Sequence, residues 1–240
     1  MGRGRGRGTG KANVSAAPVA SPGLPSGDPL FSSVSMLLQS ETTNGDTTFT
    51  DSSSFMKSLT GNGSIAHSTA QAKFGSSSIA FDGVNDSITV PTGAELDTAS
   101  TDFTIEAWIR LNSLADYSVI YSQISSPTVY EMIFMFDISS GLVAFNNIGF
   151  NCSQGSTAGW AIDTWYHVAV EKTGSTYRVY RDGVVLKSVT GSASSARTTC
   201  QVGVFSNIWH LDGYLEEFRF TSAARYSGAF VPPSAPFPIS

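Results

Sequence analysis

Charge is scarce in this sequence: Asp, Glu, Lys and Arg together make up 14% of its 240 residues. Ser, Thr and Gly are abundant instead, a usage that suits strands and turns better than helices. No helical periodicity of useful length is present, which excludes a bundle or a coiled coil. No stretch approaches the roughly 18 consecutive apolar residues of a membrane-spanning helix, so no membrane partner is expected. The basic first residues are not followed by an apolar segment, so the sequence shows no secretory signal. Cysteine is nearly absent: Cys152 and Cys200 are the only two. Two cysteines do not make a disulfide framework, and a chain of this length buries enough surface to fold without one. Whether these two are bridged stays open, because spacing alone does not give the geometry a bridge needs.

The charge that is present is unevenly placed. Residues 1–27 contain Arg3, Arg5, Arg7 and Lys11 and no acid. Subtracting that +4 from the net charge of −5 leaves −9 for residues 28–240. The first segment alternates Gly with Arg and then becomes rich in Pro, Ala and Ser. It has almost nothing to bury, so it reads as a flexible, extended N-terminal arm. Four cations would give weak, salt-sensitive binding to phosphates, and the acidic body would repel nucleic acid. The expected role of Arg3, Arg5, Arg7 and Lys11 is therefore to anchor the chain on an acidic protein surface.

From Leu30 onward short strands follow one another between turns. Val34–Leu38 is mostly apolar. Ser78–Phe81 and Ser87–Val90 flank Asp82-Gly83-Val84-Asn85-Asp86 and read as a hairpin. Phe103, Ile105, Ala107 and Ile109 alternate with other residues, so one face of that strand belongs to a core. Further strands are expected at Ser118–Ser122, Tyr130–Phe136, Leu142–Phe145, Tyr166–Glu171, Val202–Phe205 and Tyr214–Thr221. Asp182-Gly183, between Tyr177–Arg181 and Val184–Val189, predicts a type I′ hairpin, since both turn residues need positive φ. The proline-rich tail, residues 230–238, cannot continue a sheet and should lie extended over the surface. Together these features predict an all-β, two-sheet antiparallel sandwich. It would occupy residues 28–240 behind the arm of residues 1–27.

Five motifs, in order, resemble a known family. They are Phe81-Asp82-Gly83 with Asp86 to Pro91, then Phe103 to Ile109, and Trp165-Tyr166-His167-Val168-Ala169-Val170. Tyr180-Arg181-Asp182-Gly183 and Gly213 to Phe220 complete the set. Their order and spacing are similar to those of concanavalin A-like, laminin-G-like jelly rolls. The resemblance implies that Val34–Leu38 pairs antiparallel with Tyr214–Thr221. The ends, Asp28 to Leu38 and Ala224 to Phe237, resemble more narrowly such domains in bacteriophage virion structural proteins.

Catalysis finds little support. Glycoside hydrolases of this fold carry Glu-x-Asp-x-x-Glu on one strand, and the nearest match, Glu95-Leu96-Asp97-Thr98-Ala99-Ser100, lacks the last carboxylate. Glu216 and Glu217 are adjacent, and so should face opposite sides of a strand. His67 and His210 fall in expected loops, and His167 reads as a structural histidine. No zinc spacing or phosphate loop is present. Relatives often hold a structural calcium, for which Asp82, Asn85 and Asp86 are the weak candidates. They compete with the plainer reading that these residues simply make a turn, and no cofactor is otherwise expected. Trp160, Trp165 and Trp209 could stack on a sugar, and Trp209 is the best-placed candidate for a glycan contact.

The resemblance therefore implies a non-enzymatic virion structural protein, assembled in the host cytoplasm. It would be a capsid decoration (cement) protein or surface appendage anchored by its arm. Its partners would be the major capsid protein or other virion proteins, with a homo-oligomer open. The alternative is a carbohydrate-binding module that attaches to a host-cell glycan.

Overall fold

The structure is a computed structural model that describes residues 1–2, 27–126, 129–193 and 198–240. The anchoring candidates Arg3, Arg5, Arg7 and Lys11 lie outside the described residues. Among the described residues, seventeen strands follow in chain order. They are β1 (Val34–Leu38), β2 (Thr60–Asn62), β3 (Ala66–Ser68), β4 (Ser78–Asp82), β5 (Ser87–Val90) and β6 (Phe103–Leu111). Then come β7 (Ser118–Ser126), β8 (Val129–Asp137), β9 (Gly141–Phe145), β10 (Asn151–Ser153), β11 (Trp165–Thr173) and β12 (Thr176–Arg181). The last are β13 (Val184–Thr190), β14 (Thr199–Val202), β15 (Val204–Phe205), β16 (Trp209–His210) and β17 (Asp212–Thr221).

They form a two-sheet antiparallel jelly-roll sandwich. The first sheet has the order β13-β12-β11-β6-β17-β4-β3, and the second β10-β9-β8-β7-β14-β5-β2. The hairpin β15–β16 stands apart from both. The first strand pairs antiparallel with β17, Val34 opposite Thr221 and Leu38 opposite Phe218, as the resemblance implied. On the same edge, β4 covers the other end of β17, from Asp212 to Leu215. Between the two, a bulge falls at Glu216 and Glu217, and Glu217 takes a left-handed φ of 53°.

Alternation fills the space between the sheets. Phe103, Ile105, Ala107 and Ile109 of β6 enter the core with Phe218, Phe220, Tyr121, Phe134 and Tyr177. Phe103 stacks on Phe220 at 5.9 Å and Phe150 on Tyr177 at 3.9 Å. Each such side chain contributes about 1.5–3 kcal/mol by leaving water. The β12–β13 turn is the expected one, with Asp182 at φ 50° and Gly183 at 76°.

Four expectations are corrected. Ser78–Phe81 and Ser87–Val90 do not form a hairpin: β4 belongs to the first sheet and β5 to the second, so residues 82–86 carry the chain across the sandwich. The stretch Val202–Phe205 is broken at Gly203, whose φ is 88° and whose missing Cβ would stand 2.2 Å from the Phe81 ring. His67 and His210 lie on β3 and β16 rather than in loops. Glu216 and Glu217 do not face opposite sides, because the extra residue of the bulge turns both carboxylates to the outer face of the first sheet.

The two cysteines are buried and not bonded to each other. Cys152 on β10 and Cys200 on β14 have three strands between them. Four strand spacings put them roughly 19 Å apart. A disulfide spans at most about 7 Å between Cα atoms, so this fold does not allow the bridge. Burial also pushes the Cys152 thiol up to about 11.

Candidate functional site

A sheet with one face in water should alternate apolar and polar residues. Strands β7, β8 and β9 do not. Ile120, Phe134 and Leu142 enter the core, and Val119, Ile133, Met135 and Val143 form a second apolar cluster on the outer face. The hairpin β15–β16 folds back over part of that face. Ser206 and Asn207, at φ 49° and 55°, make its turn. The Ser122 hydroxyl donates to the Val204 carbonyl at 2.7 Å and holds the hairpin down.

Phe205 closes the cluster, and four half-buried aromatic rings surround it. Trp209 lies 4.7 Å from Tyr117 and 5.3 Å from Phe205. Tyr130 lies 5.5 Å from Phe205 and 5.4 Å from Phe145. A bulge opposite Ile124 brings Tyr130 into this row. The result is a continuous row, Tyr117–Trp209–Phe205–Tyr130–Phe145, across the outside of the second sheet. Half-buried aromatic rings keep one face for packing and offer the other to a ligand with an apolar face of its own.

Of the three tryptophans singled out by sequence, only Trp209 belongs to this row. Trp160 packs on Phe136 and Tyr166 and donates its indole N–H to Gln154, while Trp165 stands at the start of β11 in the first sheet. Sequence reasoning missed Tyr117, Tyr130, Phe145 and Phe205. The signal available was the apolar run Met132–Phe136 within β8, which announces a strand covered on both faces.

The outer face of the first sheet holds a buried ionic network. Glu106 Oε1 accepts from Arg219 Nε at 2.9 Å and Nη2 at 2.7 Å. Its Oε2 accepts from His167 Nε2 at 3.1 Å and from the Tyr226 hydroxyl. Arg219 and Arg225 both reach the Asp28 carboxylate, at 2.9 and 2.7 Å. Tyr226 stacks on Phe230 at 3.5 Å, Phe230 meets the His167 ring edge-on, and Phe237 lies 3.6 Å from the Arg219 guanidinium. The tail thus lies over this sheet, as expected of its prolines. His167 has a carboxylate partner that sequence spacing did not reveal, but both residues are sealed under the tail with no exposure. That enclosure gives a substrate no access, and the histidine's role is structural.

The other candidate groups are also occupied. Burial pushes the Glu216 carboxyl up to about 7 against the Lys73 and Phe74 amides it accepts, with Glu217 and Glu41 adding repulsion. Glu217 accepts the Phe237 amide and Gln39. Glu95 pairs with Lys57, and Asp97 closes a turn by accepting the Ala99 amide at 2.8 Å. His67 is buried between the Ser40 hydroxyl at 2.6 Å and the Thr48 carbonyl at 3.1 Å.

Asp82, Asn85 and Asp86 do come together, but as a turn. Asp82 Oδ1 accepts the Val84 and Asn85 amides, and Asp86 accepts the Ser64 amide at 2.6 Å and the Asp82 amide at 3.0 Å. The Asp82 and Asp86 carboxylates are directed at main-chain N–H groups, an arrangement that fits turn closure and not a calcium cage, which takes 6–8 oxygens.

Residues 82–227 match the family profile described as the concanavalin A-like lectin/glucanases superfamily. No curated protein matches the sequence. Among solved structures, domain 4 of AbnA, a GH43 extracellular arabinanase from Geobacillus stearothermophilus in complex with arabinotriose, is similar with a TM-score of 0.59. Identity there is 19%, over 75% of this chain and 88% of that one. The botulinum neurotoxin serotype C1 binding domain has a TM-score of 0.60 at 12% identity, over 82% of this chain and 50% of that one. The binding domain of botulinum neurotoxin DC in complex with SialylT gives 0.60 at 13%, over 82% and 49%. The chain spans about half the length of these neurotoxin domains. At such identities the likeness is one of fold.

Proposed function

Because the chain belongs to the concanavalin A-like lectin/glucanases superfamily, we propose that it is a non-enzymatic carbohydrate-binding module. Its site is the aromatic row on the outer face of the second sheet. The observation that carries this reading is the row itself, four half-buried rings around Phe205 on an apolar bed. A pyranose or furanose presents a patch of C–H bonds that packs on such rings, while its hydroxyls stay hydrated at the rim. The arabinotriose held by the arabinanase domain and the SialylT complex of the neurotoxin domain support a sugar as the ligand class. A shallow platform binds each sugar weakly, and attachment then gains from many copies acting together.

The setting we propose is a phage particle, with the arm of residues 1–27 anchoring the module to capsid or other virion proteins. Support for it is the sequence resemblance of residues 28–38 and 224–237 to virion proteins. In the fold those segments have work of their own: Asp28, Arg225, Tyr226, Phe230 and Phe237 close the network on the first sheet.

The test is Trp209→Ala, with Trp165→Ala as control. On a panel of immobilised polysaccharides, the first change should lower binding at least tenfold while leaving the circular dichroism spectrum unchanged. The control should bind as wild type. Full retention of binding by Trp209→Ala would falsify this location of the site.

A further inference from the structure

We propose that the glycan accepted by this face is neutral, and that sialylated and uronate-bearing sugars are rejected by charge. The inference rests on the glycan-binding reading and names its ligand class. Nine lysines and arginines lie among the described residues. Six of them, Arg110, Lys172, Arg178, Arg181, Lys187 and Arg219, sit on strands of the first sheet. None sits on any strand of the second sheet or on the β15–β16 hairpin. From Leu111 to Glu171 the sequence contains no Lys or Arg at all. Arg197, just before β14, lies outside the described residues.

The charges that the second sheet does carry are negative. They are Glu131 and Asp137, both on β8. Alternation from Ile133 and Met135 puts Asp137 on the same outer face as the aromatic row, while Glu131 is the extra residue of the bulge opposite Ile124. Glu131 is 1% exposed, next to Tyr130 of the row, and its Oε2 is buried with no hydrogen-bond partner. Asp137 accepts the Ser139 amide and hydroxyl, and these bonds outweigh burial and hold its carboxyl below the usual range.

Recognition of a carboxylate sugar calls for a guanidinium or ammonium at the site, above all a bidentate arginine. The described strands of this face offer no such cation and carry the ionised Asp137 instead, beside low-dielectric aromatic walls where charge repulsion is poorly screened. The hydroxyls of a neutral sugar bring no charge to this face.

The experiment is a glycan array of matched neutral, sialylated and uronate-bearing oligosaccharides, probed with the full chain at pH 8, where an ordinary imidazole is neutral. Neutral members should bind at least tenfold more tightly than their acidic counterparts. Asp137→Asn should narrow that preference at least threefold. Acidic members that bind as well as neutral ones, in a manner lost on Trp209→Ala, overturn the inference and leave the glycan site standing. An unchanged preference in Asp137→Asn overturns charge on this face as its source. Binding to no member at all overturns the parent reading, and this one with it.

Discussion

Glu106 keeps a charge where water does not reach. Burial alone would raise its carboxyl, but the Arg219 guanidinium beside it, with the His167 and Tyr226 hydrogen bonds, brings it down to about 2. In the unfolded chain a glutamate titrates near 4.3. The folded value is the lower one, so the network's contribution is complete above about 4.3 and is lost as pH falls toward 2. Glu216 acts with the opposite sign. Its folded value of about 7 lies above the unfolded one, so its contribution is lost as pH rises through 7. Stability should therefore peak between the two. At pH 7, Glu106→Gln should cost about 3–5 kcal/mol, since it leaves Arg219 buried with only Asp28. In urea unfolding at pH 3 the gap to wild type should shrink by about 2 kcal/mol. A gap that is the same at both pH values would show that Glu106 is not the titrating group. At this scale sequence reading had mixed reach. Trp209 was legible as a glycan-contact candidate, although it is half-buried on β16 and not in a loop, whereas the Glu106–His167 pair, 61 residues apart, exists only through strand register.

The turn between β12 and β13 joins two parts of the molecule. Gly183 has φ 76°, and its carbonyl accepts the Phe230 amide at 3.0 Å. A Cβ there would stand 1.8 Å from the Phe230 carbonyl oxygen. Gly183→Ala should thus strain the turn and lift the tail together, at a cost of about 1–3 kcal/mol. In limited proteolysis the segment after Ser227 should be cut sooner, with β7–β9 still protected. Unchanged protection of the tail would count against the role given to this contact. The hairpin was legible because Asp-Gly supplies two positive φ values in a row. Asp82 to Asp86 has similar turn chemistry and was misread as a hairpin. What separates the two is the choice of distant partner: β4 pairs with β17 and β5 with β14, and nothing local in the sequence encodes that. The bulge at Glu217 was equally hidden, since a glutamate gives no sign of a left-handed backbone.

The whole molecule is polar in a structural sense. Its aromatic row lies outside the second sheet, and Asp28, from which the arm leads, is clamped outside the first. A module seated through its arm would turn its aromatic face away from the support. Deleting residues 1–27 should leave the melting temperature within about 2 °C of wild type, since every clamp residue from Asp28 onward remains. Binding to the glycan panel should persist while attachment to particles is lost. Attachment of the truncated protein at wild-type levels would move the anchoring contact to the sandwich surface.

The Asp28 amide donates to the carbonyl of Ser240 at 2.9 Å, so the two ends of the sandwich touch. A fold whose ends meet is a closed bead on the string. It can be spliced into a surface loop of another chain without prying that loop apart, and its ends can be joined and reopened elsewhere. The Gly174 turn between β11 and β12 is a natural place to reopen it: Gly174 is exposed, has φ 58°, and has open space where a side chain would be.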